Sequence, residues 1–582
     1  MAKQKSRKFK HVEARVATLA EQDIAQRSNA ASHRRGWIAC LTGALLIFLA
    51  IYLLRLDPIV GLFVDDAWYA LLAKSLATGQ GYQLINSPSP GILPVYPPIF
   101  PFLLSLAYRV FPQFPDNIWL LKSVSIVAMA GAGWASFRHF TRDREWPRLL
   151  SLISALTVTM IPGLVFLATS SVMSECVFML LQLWAVVAIE AGARKEDGGR
   201  RYILLGAALA AAAFLTRSIG LGLIVAGVIY LLKERLWRSA LIFAAAAILF
   251  AGPWVMYSRF HAPTPERRTE QGGMIVQDYT VQLWQRRAGA SSSGMIRTHE
   301  LTDRIWSNAM EIIGSNAAML LTPTFFRSPK LSGEETLEKG GSTKTFSYVL
   351  SLLILIGFAV SLRRKILLAD LVVIFTLLIT IVWPWDTFRF LTPLAPFLLF
   401  YLIESLREIR EFARQRLQIK LRPEPWRALM IFTGCLLALY LFDHTAYLRA
   451  RGDLSPAEYL PWRAIYDENR ALVDWIREKA PEDVVIASEN PAMVYLYTGR
   501  KSVAIDDTAG NWENWKRLNV RYIARLSAYP VPDPGMNEGR FNMPFRSKGA
   551  LKLRVVDLGP KENRLPWSSF GSPGSIKFET FN

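Results

Sequence analysis

Eleven apolar stretches, all of bilayer length except the shorter Tyr202–Thr216 and Ile219–Leu232, parted by short clusters of arginine and lysine, constrain this chain more than any other feature. A hydrocarbon core asks for roughly 17–25 apolar residues per helix. The candidate spans are Trp37–Leu54, Ile118–Phe137, Pro147–Ala168, Met173–Ala191, Tyr202–Thr216 and Ile219–Leu232. They continue with Trp237–Tyr257, Phe346–Leu362, Ile366–Trp385, Phe390–Leu406 and Trp426–Phe442. Over 582 residues the hydrophobic fraction is 52% and the charged fraction 20%, below the roughly 25% charged of a soluble protein. The expected fold class is an all-α polytopic membrane bundle of about eleven helices.

Loop charge sets the expected orientation. With the basic N-terminal segment 1–36 in the cytoplasm, the even-numbered connections also fall inside. They carry Arg138, Arg142, Arg144 and Arg148; Arg194, Lys195, Arg200 and Arg201; Lys233, Arg235 and Arg238; and Arg363, Arg364 and Lys365. The last holds Arg407, Arg410, Arg414, Arg416, Lys420, Arg422 and Arg427. The net charge of +20 is therefore read as positive-inside bias, and nucleic-acid binding is not expected. The segment Pro98–Phe111 is apolar but short; counted as a span it would invert every later loop, so it is placed on the outer surface. Trp37–Leu54 is read as an uncleaved first helix, too long for a signal-peptide core. The three cysteines and six histidines show no metal-site or disulfide spacing.

Three polar regions remain: outer loops 55–117 and 258–345, and a tail, 446–582. Leu301, Ile305, Ile312 and Ile313 in the second loop have helical spacing; Gly272-Gly273, Ser291-Ser292-Ser293 and Gly340-Gly341 mark it as loop-like, and it is a candidate substrate lid. In the tail, Pro456–Lys479 reads as an amphipathic helix, and Val484–Ala487, Ser502–Ile505, Tyr522–Ala524 and Leu553–Val556 as strands, giving a small α/β domain.

The notable ionisable residues gather on the outer face. Asp65 and Asp66 open the first loop; an aspartate there caps the next helix or acts as a general base. Glu175 begins a membrane helix, where it caps or favours the helix N-terminus. Arg217 and Arg389 sit at the outer boundary, as interfacial anchors or as phosphate-binding forks. Asp370 and Glu190 fall near inner helix ends and are read as structural. Carboxylates and arginines from five parts of the topology on one face suit a lipid-phosphate substrate.

At these residues the chain resembles the GT-C class of membrane glycosyltransferases, in particular the protein O-mannosyltransferases and lipid A aminoarabinose transferases. The resemblance rests on Asp65-Asp66-Ala67-Trp68-Tyr69 with Gly79 or Gly81 following, Tyr96-Pro97-Pro98, Met173-Ser174-Glu175, Thr216-Arg217-Ser218-Ile219-Gly220 and Arg389-Phe390-Leu391-Thr392-Pro393. It covers roughly residues 37–445. It implies a GT-C fold, an active site outside the cytoplasm, and a sugar donor carried on a polyprenyl phosphate. It further implies transfer with inversion to a hydroxyl acceptor, in membrane or periplasm, in a bacterial inner membrane. Asp65 and Asp66 are then the catalytic candidates, with Asp65 as general base. Tyr69, Tyr96, Glu175, Arg217 and Arg389 are the substrate-binding candidates. Asp66 stands where the family often has Glu, and Tyr96 where it has Lys or His, which leaves the sugar (hexose or pentose) open. No second Asp-x-Asp pair supports a divalent metal, so no cofactor is expected. The alternative of another class is a flippase for a lipid-linked glycan, which should line a midplane path between repeats; no repeat is visible.

Overall fold

The computed structural model describes residues 34–89, 96–195, 199–262, 264, 279–286, 294–323, 341–385, 387–416, 425–452, 461–505, 515–524, 526 and 555–557. Among these, seven helices are long and apolar enough to cross a bilayer. They are Arg34–Leu54 (α1), Ile118–Asp143, Glu175–Ala193 (α7), Trp237–Phe260 (α10), Thr345–Arg364, Phe388–Arg416 and Trp426–Arg449. The chain divides into two units, residues 1–53 and 54–582. The first holds α1, a helix of mean hydropathy 2.4; all that follows concerns the second.

The expected count of eleven is not reached by length. Pro147–Ala168 forms two helices, Arg148–Thr159 (α5) and Pro162–Thr169 (α6), bent by 54°. Pro162 opens α6 and lacks the N–H that would continue α5. Counting the pair as one span gives eight. The other three are Arg200–Phe214 (α8), Leu221–Lys233 (α9) and Leu368–Val382, of 15, 13 and 15 residues. At 1.5 Å per residue they cover about 20–22 Å of a core near 30 Å. The first outer loop folds into Asp65–Ala77 (α2) and Ile99–Val110 (α3). At 12 residues α3 is too short to span.

Position in the bundle follows apolar coverage. In α7 and the Phe388–Arg416 helix most side chains are buried. In α10 Leu241, Ile248, Leu249 and Phe250 face outward, as lipid-facing residues do. The Ile118–Asp143 span is α-helical through Arg138 (α4) and ends in a wider π turn, His139–Asp143.

Buried charges at the basic end of the bundle are satisfied internally. Asp370 accepts from Leu367 N at 2.9 Å, Ser361 Oγ at 3.0 Å and Tyr401 OH at 2.8 Å. Glu190 accepts from Leu368 N at 3.1 Å and pairs with Arg194 at 3.3 Å. These two acids tie helices together, as their place in the sequence suggests.

The described tail is a four-stranded sheet in the order β2-β1-β3-β4. Its strands are Val485–Ser488 (β1), Ser502–Ala504 (β2), Val520–Ala524 (β3) and Val555–Asp557 (β4). β1 pairs in parallel with β2 and β3, and β3 antiparallel with β4. The amphipathic helix is Pro461–Lys479; residues 456–460 lie outside the described residues. A further helix, Pro491–Thr498, joins β1 to β2. Asn490 caps it, accepting from Met493 N at 3.1 Å, and Pro491 takes the first turn. In the second outer loop the helical spacing becomes Thr298–Glu311, a π turn and Ala317–Leu321. Gly272-Gly273 and Ser291-Ser292-Ser293 lie outside the described residues.

One close approach tests the packing. A Cβ on Gly357 would lie 1.7 Å from the Tyr401 carbonyl oxygen of the neighbouring helix. Small residues at membrane helix interfaces permit such contact. Gly357→Val is expected to cost at least about 1–3 kcal/mol by overpacking. A lowered melting midpoint of purified protein in detergent would show it.

Candidate active site

The site is built on residues 54–66, a strap leading into α2. Asp57 anchors its start. The carboxylate accepts from Ser170 Oγ at 2.7 Å, Tyr447 OH at 2.6 Å and Arg451 Nη1 at 3.3 Å. The fully buried Lys122 donates to the carbonyls of Asp57 and Thr169. The middle of the strap is held by the C-terminal domain. Asn490 Nδ2 donates to Gly61 O at 2.9 Å and Tyr497 OH to Val60 O at 3.1 Å. Gly61 has φ +106°, and a Cβ there would meet Met493 Sδ at 2.7 Å. Only glycine meets both demands without strain.

The two adjacent aspartates have different surroundings. Asp66 is fully buried, and its carboxylate accepts four backbone N–H bonds. Oδ2 takes Gly61 N at 2.9 Å and Leu62 N at 3.1 Å; Oδ1 takes Phe63 N and Ala67 N, both at 3.0 Å. Burial pushes this carboxyl up, and the N–H groups of Gly61, Phe63 and Leu62 pull against it. With its oxygens turned inward to the strap, Asp66 has the geometry of a scaffold for the turn rather than of a group that touches substrate. Asp65 faces the other way, with its side chain 32% exposed. Between strap and helix, Val64 sits at φ 64°, ψ −55°. A β-branched residue there is a strained outlier, and such strain concentrates at functional sites.

Around Asp65 the structure brings together the other five of the seven residues singled out in the sequence, Asp66 excepted. Arg389 donates from both Nη atoms to Asp65 Oδ2 at 3.1 Å. Its Nε and Nη2 reach Glu175 Oε1 at 3.2 and 3.1 Å. Arg217 Nη1 meets the same Glu175 oxygen at 2.7 Å and donates to Ser174 Oγ at 3.2 Å. Tyr96 OH donates to Asp65 Oδ1 at 2.9 Å. Tyr69 shares a 3.2 Å hydrogen bond with Ser174 Oγ, and its ring meets that of Tyr96 edge-on at 5.0 Å. Burial, with the Asp65 charge beside it, raises the Tyr96 hydroxyl well above its ordinary range, so it remains a donor. Asp66 alone among the seven stands apart from this cluster.

Exposure is graded across the cluster. Glu175 is 0% exposed and the Arg217 side chain 10%, whereas Arg389 is 27% and Asp65 32% exposed. A buried carboxylate thus steadies two guanidinium groups, and the outer one shares its remaining donors with an accessible carboxylate. Such a pair of forks can take phosphate oxygens, and the accessible carboxylate can take a proton.

Several contributors carried no sequence signal. Burial raises the Tyr279 hydroxyl, while Ser218 and Arg217 draw it the other way, so a residue of the second outer loop sits in the field of the site. Thr387, two residues before Arg389, is held by Asn316 Nδ2 at 2.7 Å and bonds Glu311 at 3.3 Å. The turn at Leu215 is tied to the start of α3, where Ile99 N donates to its carbonyl at 3.0 Å. Asn490, which donates to Gly61 O, is another: nothing local says what it docks against.

No protein-family model and no curated protein matches the chain. Solved structures do. ArnT from Cupriavidus metallidurans, determined with undecaprenyl phosphate bound, aligns at a TM-score of 0.51 and 12% identity. The alignment covers 83% of this chain and 89% of that one. The chain shares the fold of this ArnT. The apo form of the same ArnT aligns at 0.49, with 12% identity over 82% of this chain and 89% of that one. AglB, an oligosaccharyltransferase from Archaeoglobus fulgidus, aligns at 0.45, with 12% identity over 83% and 69%. With seven apolar helices in this fold, the chain is a multi-pass integral membrane protein.

The two aspartates should separate in a stability measurement. Asp66→Asn replaces an acceptor by an amide donor facing backbone N–H groups, at a cost of about 1–3 kcal/mol. Asp65→Asn, at a part-exposed pair, should stay within about 1 kcal/mol of wild type. Thermal unfolding of both variants in one detergent checks the contrast.

Proposed function

We propose that the protein is an inverting glycosyltransferase, moving a sugar from a polyprenyl-phosphate donor to a hydroxyl acceptor at the outer face of the membrane. One observation carries the reading: Arg389 bridges the accessible Asp65 and the buried Glu175, with Arg217 on the same Glu175 oxygen. The GT-C fold, and an ArnT relative of that fold solved with undecaprenyl phosphate, support it.

The donor phosphate enters beside Arg389 and competes with Asp65 for its donors. Glu175 keeps the fork aimed while this exchange occurs. Asp65, freed of that contact, takes the proton of the acceptor hydroxyl. The acceptor oxygen forms its bond to the anomeric carbon as the carbon–oxygen bond to phosphate breaks. The polyprenyl phosphate leaves with the electron pair, its charge met by Arg389 and Arg217. Attack opposite the leaving group inverts the anomeric centre. The arginines supply the charge compensation, so the reading calls for no metal. Tyr96 holds Asp65, and Tyr69 with Ser174 closes the wall behind Arg217. The basic clusters at the far ends of the same helices support the outer-face placement.

The test is glycan transfer by purified protein in lipid nanodiscs, offered a panel of polyprenyl-phosphate-linked hexoses and pentoses. Asp65→Asn is expected to lower transfer by at least about 10²-fold while leaving donor binding in place. Intact transfer by that variant removes Asp65 as base. Arg389→Ala is expected to weaken donor binding as well; unchanged binding would count against its phosphate role.

A further inference from the structure

At the other end of α7, about 28 Å from Glu175 by helix rise, a cleft of about 180 Å³ opens between α4 with its π turn and α7. Four cations line it: Arg138, Arg142, Arg194 and Lys195. Asp143 is the one acid in the wall, and Val187 and Ala191 give it an apolar side. Two of the cations are already engaged. Arg194 pairs with Asp143 at 2.7 Å and Glu190 at 3.3 Å, and Lys195 lies over the Tyr202 ring at 4.5 Å. Arg138 and Arg142 differ. Among the described residues neither guanidinium has an acceptor, and Arg138 Nε is buried with no hydrogen-bond partner. A buried, unmatched guanidinium nitrogen is costly unless something supplies an oxygen.

Local structure tells what that oxygen belongs to. Trp134, one turn before Arg138, is 47% exposed and stacks on Phe137 at 5.3 Å. Exposed tryptophan marks the bilayer–water boundary, so the cleft lies at head-group depth with an apolar wall toward the chains. The π turn carries Arg142, and such turns recur at functional sites. Basic pockets between membrane helices suit phosphate head groups, and guanidinium forks match phosphate oxygens.

We infer that this cleft is a binding site for the phosphodiester head group of an anionic phospholipid, held by Arg138 and Arg142. In the orientation given by loop charge this is the inner leaflet. The site shares no residue with the Asp65–Arg389 cluster, so it stands or falls apart from the catalytic reading.

The experiment is native mass spectrometry of full-length protein released from phosphatidylcholine nanodiscs containing a minor fraction of phosphatidylglycerol. Wild type should retain phosphatidylglycerol; Arg138→Gln/Arg142→Gln should retain about 30-fold less, the effect of two surface charges. Arg142→Gln alone leaves Arg138, with its buried Nε, intact, guards against misfolding, and should give a smaller loss. Arg235→Gln/Arg238→Gln removes the same charge from this end of the bundle outside the cleft, and should lose much less phosphatidylglycerol than the cleft double variant. An equal loss in that control would overturn the site in favour of diffuse attraction. Stabilisation of wild type by inorganic phosphate, absent in the double variant and with no preference for phosphatidylglycerol, would overturn the lipid assignment in favour of a soluble phosphate.

Discussion

Arg389 is shared between two carboxylates of opposite character, and much of the molecule serves to keep it so. Glu175 is fully buried at the start of a helix that is itself mostly buried. Its charge is tolerable only because two guanidinium groups converge on one oxygen. Asp65, by contrast, is open to solvent and holds the same arginine at a part-exposed contact, where a pair is worth little. The arrangement is asymmetric: the inner pair is hard to break and the outer one easy. On the proposed reading, a donor phosphate reaching Arg389 displaces Asp65, not Glu175.

That asymmetry needs the strap 54–66 held in place, because the backbone there brings Asp65 to Arg389 and Tyr96. Asp57 fixes one end through Ser170, Tyr447 and Arg451. Asp66 folds the other end by gathering four N–H groups. The strained Val64 lies between these anchors. Contacts on both sides over-determine the turn, the condition under which an unfavourable φ persists.

The sequence exposed the long spans, the acidic and basic site residues, and the strands of the tail, because each is written in local pattern: apolar length, residue type at helix ends, β-branched runs. Its count of eleven spans is not confirmed by helix length where an apolar stretch is interrupted. Pro162 breaks one, and the turn Thr216–Gly220 leaves α8 and α9 short. It offered a capping role and a base role for Asp65 and Asp66, whose side chains leave the backbone in different directions, without saying which residue takes which. Which one is buried depends on Gly61 to Phe63 closing over Asp66, and no spacing rule encodes that closure. The contribution of Tyr279, Asn316 and Asn490 was likewise illegible, since each acts across more than 60 residues of chain.

The tail's place in this scheme follows from Asn490. Its side chain performs two tasks at once: Oδ1 caps the Pro491–Thr498 helix and Nδ2 binds Gly61 O. The N–H of Gly61 in turn donates to Asp66. A continuous path of hydrogen bonds thus runs from the cap, through one residue of the strap, to the carboxylate that shapes the turn before Asp65. Met493 fills the space that a side chain on Gly61 would need, so the contact is steric as well as polar. A domain that rested on the bundle only by its surface could shift without consequence for the site. This one is joined to the residue on which Asp66 closes, and moving it would change where Asp65 points.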